Sequence, residues 1–133
     1  MTRRAVLGLL VASVLIGCTN TDEGVDPVWG KEPCAHCRMI VSDKRFAAQL
    51  VDNGDRRWFD DIGCMVLWIE ERKAKPSRTW VRDGQTGRWT DARVARYSAG
   101  ARTPMDFGFE ARGDEGVGWD EMRERVLAKS KAR

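Results

Sequence analysis

Histidine is almost absent from this sequence: His36 is the only one in 133 residues. Acid–base and nucleophilic catalysis lean most often on histidine, and no nucleophile–base pair can be assembled around this one. A catalyst is therefore not the expected class. Concentrated charge of one sign is lacking too. The net charge is +3, with 23 basic residues scattered among 20 acids. A nucleic-acid partner would need a basic stripe or patch, so none is expected. A second Cys-x-x-Cys and a histidine pair are missing, which leaves a structural zinc site short of ligands. A parallel βαβ pattern is missing as well, which argues against a thioredoxin-like oxidoreductase.

Long apolar runs are scarce. Residues 5–16 form the longest, broken only by Gly8 and Ser13. That is short for a membrane span but suits the core of an export signal, and Arg3 and Arg4 supply its positive front. The run ends in Leu15-Ile16-Gly17-Cys18, which resembles a bacterial lipobox. The expectation is a signal peptide over residues 1–17, with lipid carried on Cys18. Acyl chains supply the membrane affinity that so short a segment cannot. Thr19, rather than Asp, follows the cysteine. By resemblance to Gram-negative lipoproteins this fits a periplasm-facing position, with the outer membrane favoured over the inner. Residues 18–33 are polar and rich in Gly, Asp, Glu and Pro, and read as a lipidated tether.

What is present in quantity is soft donors. Cys34-Ala35-His36-Cys37-Arg38-Met39 packs two thiols, a thioether and the only imidazole into six residues. With Cys18 lipidated, Cys34, Cys37 and Cys64 remain, an odd number in an oxidising compartment. A bound soft metal is one reason for a thiol to persist there. Cu(I) prefers thiolate and thioether donors and is content with two or three of them. In an extended segment Cys37 and Met39 would face the same side, so both could reach one ion. A remote donor would complete a site tight enough to load and open enough to unload. Cys34 reads as a second thiolate, a resolving thiol or a spectator, and a reversible Cys34–Cys37 disulfide competing with metal stays open. His36 reads as a ligand or a plain loop side chain. Cys64, inside an apolar run, reads as packing first and as a ligand second.

The remaining pattern is that of an α+β fold. Residues 47–59 read as a hairpin turning at Asn53-Gly54. Residues 62–69 carry apolar side chains at helical spacing and all around, a buried helix preceded by Asp60-Asp61, which read as caps or as holders of a loop near the site. Strands are expected near 78–81, 94–97 and 107–109, and a second helix over 119–129. Helices then pack on small, largely antiparallel sheets. Trp58, Trp68, Trp80, Trp89 and Trp119 read as core or interface, and Met65 and Met122 as core.

Four motifs in order resemble the NosL family of nitrous-oxide-reductase accessory lipoproteins. They are Cys34-x-x-Cys37-Arg38-Met39, Phe46-Ala47-Ala48-Gln49, Phe59-Asp60-Asp61-Ile62-Gly63-Cys64-Met65 and Thr103-Pro104-Met105. The resemblance spans the chain beyond the lipobox, in two halves of about 34–84 and 85–133. It implies a fold of two related ββαβ units. It also implies a membrane-anchored Cu(I) chaperone serving the copper–sulfide centre of nitrous oxide reductase through an ABC-type assembly complex. By the same resemblance Cys37 and Met39 are copper donors, and Met105 is the remote thioether. The family usually has Gly where Arg38 stands. An extended backbone at Arg38 is the expectation, since a left-handed one would cost of order 1 kcal/mol.

Overall fold

The computed structural model describes residues 21–133. The expected signal peptide and Cys18 lie outside the described residues. The fold is α+β, as the sequence pattern indicates, with two helices and two antiparallel sheets.

The hairpin forms where Asn53-Gly54 puts it. Strands β1 (Ala48–Asp52) and β2 (Asp55–Phe59) pair antiparallel, with Asp52 opposite Asp55. Asn53 and Gly54 both have positive φ, +49° and +82°, which is the tight-hairpin geometry that Asn-Gly favours. Helix α1 (Ile62–Arg72) follows at once. Strands β3 (Arg78–Arg82) and β4 (Trp89–Asp91) complete a sheet in the order β2-β1-β3-β4. β5 (Tyr97–Ala99) and β6 (Phe109–Ala111) form a second, two-stranded sheet, and α2 (Trp119–Lys131) closes the chain against α1. The first half is thus a ββαβ unit. Among the described residues β4 follows and joins the sheet of that unit, and β5, β6 and α2 come after it, with no strand after α2.

β1 is buried on both faces, and its alternation says by what. Ala48 and Leu50 join the core under α1, with Phe59, Ile62, Met65, Val66 and Val81. Gln49, 0% exposed, looks the other way, in a cross-strand row with Trp58 and Trp80. The amide of Gln49 binds the polar N-terminal segment. Val25 N–H donates to its Oε1 at 3.0 Å, and its Nε2 donates to Val25 O at 3.1 Å. Trp58 Nε1 donates to the same carbonyl, Trp89 Nε1 donates to Asp26, and Trp29 stacks on Trp89. The segment that composition alone reads as a tether is therefore docked on the sheet from about residue 24. A buried amide and indole N–H groups must be satisfied, and the arm supplies their partners.

Candidate metal centre

Two pieces of chain far apart in sequence build the site. The first is the turn holding Cys34 and Cys37. Cys34 N–H donates to Met39 O at 2.7 Å, and Arg38 N–H donates to Cys34 O at 3.1 Å. Ala35 N–H donates to Trp58 O at 2.9 Å, which seats the turn on β2, an edge strand whose free polar groups need covering. The second piece is the junction of β2 and α1. Asp61 is the N-cap of α1, its Oδ1 accepting from Gly63 N–H at 2.8 Å. Asp60, one residue earlier, and Cys64, in the first helical turn, face the cysteine turn.

One ligand atom each from Cys34, Cys37, Asp60 and Cys64 lie within 4.8 Å of one another, and this cluster can hold a metal ion. Cys34 and Cys64 are 0% exposed and Asp60 is 1% exposed, while Cys37 is only half-buried. All three thiols are free. Cys37 Sγ donates to Asp60 Oδ1 at 3.2 Å, but the other oxygen, Oδ2, is buried without a hydrogen-bond partner. A buried, half-satisfied carboxylate is costly, and a cation is the natural partner for it.

The protons of the cluster are unevenly shared. Cys34 is the preferred thiolate, its pKa lowered to about 4. The Cys64 thiol donates to it, burial opposes this, and the backbone N–H groups of Cys37, Asp60 and His36 add further donors. Burial pushes Cys37 up to about 12, against the pull of the Met39 backbone N–H. Cys64 is raised further, first by its bond to Cys34, then by burial and the charges around it. Asp60 is raised to about 6 by burial and then by the Cys34 charge. At neutral pH the cluster thus carries the charges of Cys34 and Asp60, while Cys37 and Cys64 keep their protons. A cation can replace the protons of Cys37 and Cys64, because it supplies the positive charge that lets several thiolates sit together.

Several expectations change. The cluster segment is a turn, not an extended strand, so Cys37 and Met39 are not brought together by alternation. Arg38 sits at φ +70°, in the left-handed region where the resembling family has Gly. The N–H bond to Cys34 O closes the turn in this way. Met39 is turned outward and is 51% exposed. Cys64 is not mere packing; it belongs to the cluster. Asp60 does not cap the helix, and its place among the four candidate donors escapes the sequence reading. The signal was there: two adjacent acids precede α1, and a single N-cap uses only one. Asp60 supplies a fourth donor beside the three thiols, so a zinc site is not short of ligands.

His36 lies outside the donor group. Its Nε2 is 3.2 Å from Glu71 Oε1 on α1, and its Nδ1 is buried without a partner. Met105 is half-buried against the core, in a loop whose placement depends on Asp61. Met105 N–H donates to Asp61 Oδ2 at 3.0 Å, so one carboxylate caps α1 and holds that loop. Burial raises the Asp61 pKa against these hydrogen bonds. Phe107, in the same loop, packs against Gly63, where an added Cβ would come within 2.2 Å of its ring.

No protein-family model, curated protein or solved structure matches the chain. Among the described residues no helix is long and apolar enough to cross a membrane.

Proposed function

We propose that this protein carries Cu(I) in the cluster of Cys34, Cys37 and Cys64 and hands it on. The observation that carries the reading is the convergence of three free thiols at one point, two buried and one reaching solvent. Three thiolates suit Cu(I), which prefers soft donors and low coordination number. Cys37 is the shared member of this set and of the set implied by the NosL resemblance. Met39, exposed beside it, and Met105 are thioethers suited to exchange, since they bind Cu(I) without charge. Transfer then begins at the Cys37 edge, where a partner's donors can approach. By the same resemblance the protein is a lipoprotein anchored through Cys18, facing the periplasm. It serves the copper–sulfide centre of nitrous oxide reductase through an ABC-type assembly complex or the apo-reductase itself. Delivery to another copper enzyme is the nearest alternative destination. The test is a Cu(I) titration against a competing chelator. Wild type takes up one Cu(I) per chain, and Cys37→Ser loses at least about tenfold in affinity, the least that losing even a hydrogen-bond partner of a metal ligand costs. Wild-type affinity in Cys37→Ser rejects the reading.

A second reading has its own observation. Asp60, a hard oxygen donor with an unpartnered buried atom, completes a three-sulfur, one-oxygen set. That is the tetrahedral chemistry of Zn(II). Competition between Zn(II) and Cu(I) on the reduced protein decides which ion the donors prefer.

A further inference from the structure

We propose that the cluster is redox-gated: Cys34 and Cys37 close to a disulfide after the metal has left, and the closed site refuses metal until it is reduced. The consequence for metal rests on the metal-carrying reading, but the closure itself does not. Three features support it. First, the thiols are free and their sulfurs lie within 4.8 Å of one another. Second, Cys37 alone among them reaches solvent, so an external disulfide meets it first. Third, the two walls are built differently. Cys34 and Cys37 share one short turn at the surface, with Arg38 at φ +70° beside them. Cys64 is fixed in the first turn of α1 by the Asp61 cap and by Phe107 packed on Gly63. Closing the S–S bond to about 2 Å is therefore easier within the turn than across to the helix.

The chemistry is ordinary thiol–disulfide exchange with a small external disulfide of the glutathione type. The Cys37 thiolate attacks one sulfur of that disulfide. Its S–S bond breaks, and the first leaving thiolate takes up the proton given by Cys37. The Cys34 sulfur then attacks the Cys37 sulfur of the mixed disulfide. The second external thiolate leaves and takes its proton from water, since Cys34 attacks as a thiolate. Two protein thiols are oxidised and one external disulfide is reduced to two thiols. A bound cation blocks the first step by occupying the sulfur lone pairs. Of the four clustered donors the closed protein keeps only Cys64 and Asp60.

The test uses the full-length protein in detergent, treated with excess glutathione disulfide with and without bound Cu(I). Peptide mapping by mass spectrometry reads the linkage. The expected product is Cys34 joined to Cys37, with Cys64 a free thiol. Cu(I) uptake is lost and returns on reduction, and the loaded protein oxidises at least about tenfold more slowly. Cys64→Ser still forms the link, and Cys34→Ser stops at a mixed disulfide on Cys37. Any other linkage, no disulfide at all, or undiminished Cu(I) uptake by the oxidised protein overturns the proposal. The linkage map of the wild type needs no variant to fold. If the reduced wild type takes up no Cu(I), the copper reading fails instead, and the map still reports on closure.

Discussion

At the scale of single residues, Arg38 and Asp60 carry the most information. Arg38 holds a left-handed backbone without being glycine. Arg38→Gly should therefore stabilise the fold by about 1 kcal/mol, read from urea unfolding of the metal-free protein. A loss of stability would mean that its side chain matters more than its backbone. Asp60 works in the opposite sense. Its folded pKa of about 6 lies above the ordinary 3.8. Its favourable contribution is present below the unfolded value and is lost as pH rises through about 6. Metal-free Asp60→Asn should then be more stable than wild type by about 1–3 kcal/mol at pH 8, and equal to it near pH 4. Urea unfolding at the two pH values checks this. If Zn(II) is the resident ion, the same variant should bind it more weakly. The dense run around Cys34 and Cys37 was legible in the sequence, because soft donors so close together need no fold to be noticed. Cys64 is legible only as a second-choice ligand and Asp60 not as a ligand at all, because their neighbours come from a turn more than twenty residues away.

At the scale of elements, the β2–α1 junction and the turn docked on β2 form the two walls of the site. The hairpin and α1 could be read from Asn53-Gly54, from the Asp cap and from the all-round apolar helix, since those signals are local. The docked N-terminal arm could not, because its partners are Gln49, Trp58 and Trp89, and polar composition hides a segment held by hydrogen bonds. The short β4 was likewise hidden: its place is set by pairing with β3. Two elements share the loop carrying Met105, and both can be tested. Gly63→Ala drives a methyl into Phe107 and should cost about 1–3 kcal/mol. Asp61→Ala removes a helix cap and the acceptor for Met105 N–H, and should cost about 1–2 kcal/mol. Thermal unfolding monitored by circular dichroism measures both, and an unchanged midpoint in either would separate that loop from the stability of the helix.

For the whole molecule, one event couples fold, charge and cargo. A cation bridging the cysteine turn, Asp60 and α1 joins the sheet edge to the helix, so loading should raise the unfolding temperature in proportion to the logarithm of free metal. Binding should release about two protons at pH 7, from Cys37 and Cys64, whose folded pKa values lie far above neutrality. Affinity at pH 8 should then exceed that at pH 7 by about a hundredfold, and calorimetry in buffers of different ionisation heat counts the protons. The most direct measurement is X-ray absorption on the Cu(I)-loaded protein, counting sulfur neighbours in wild type, Cys64→Ser and Met105→Leu. Copper in the thiol cluster gives three sulfurs in wild type, fewer in Cys64→Ser, and an unchanged shell in Met105→Leu. A shell unchanged in Cys64→Ser but reduced in Met105→Leu would contradict it, and would return the ion to Cys37 and the two methionines.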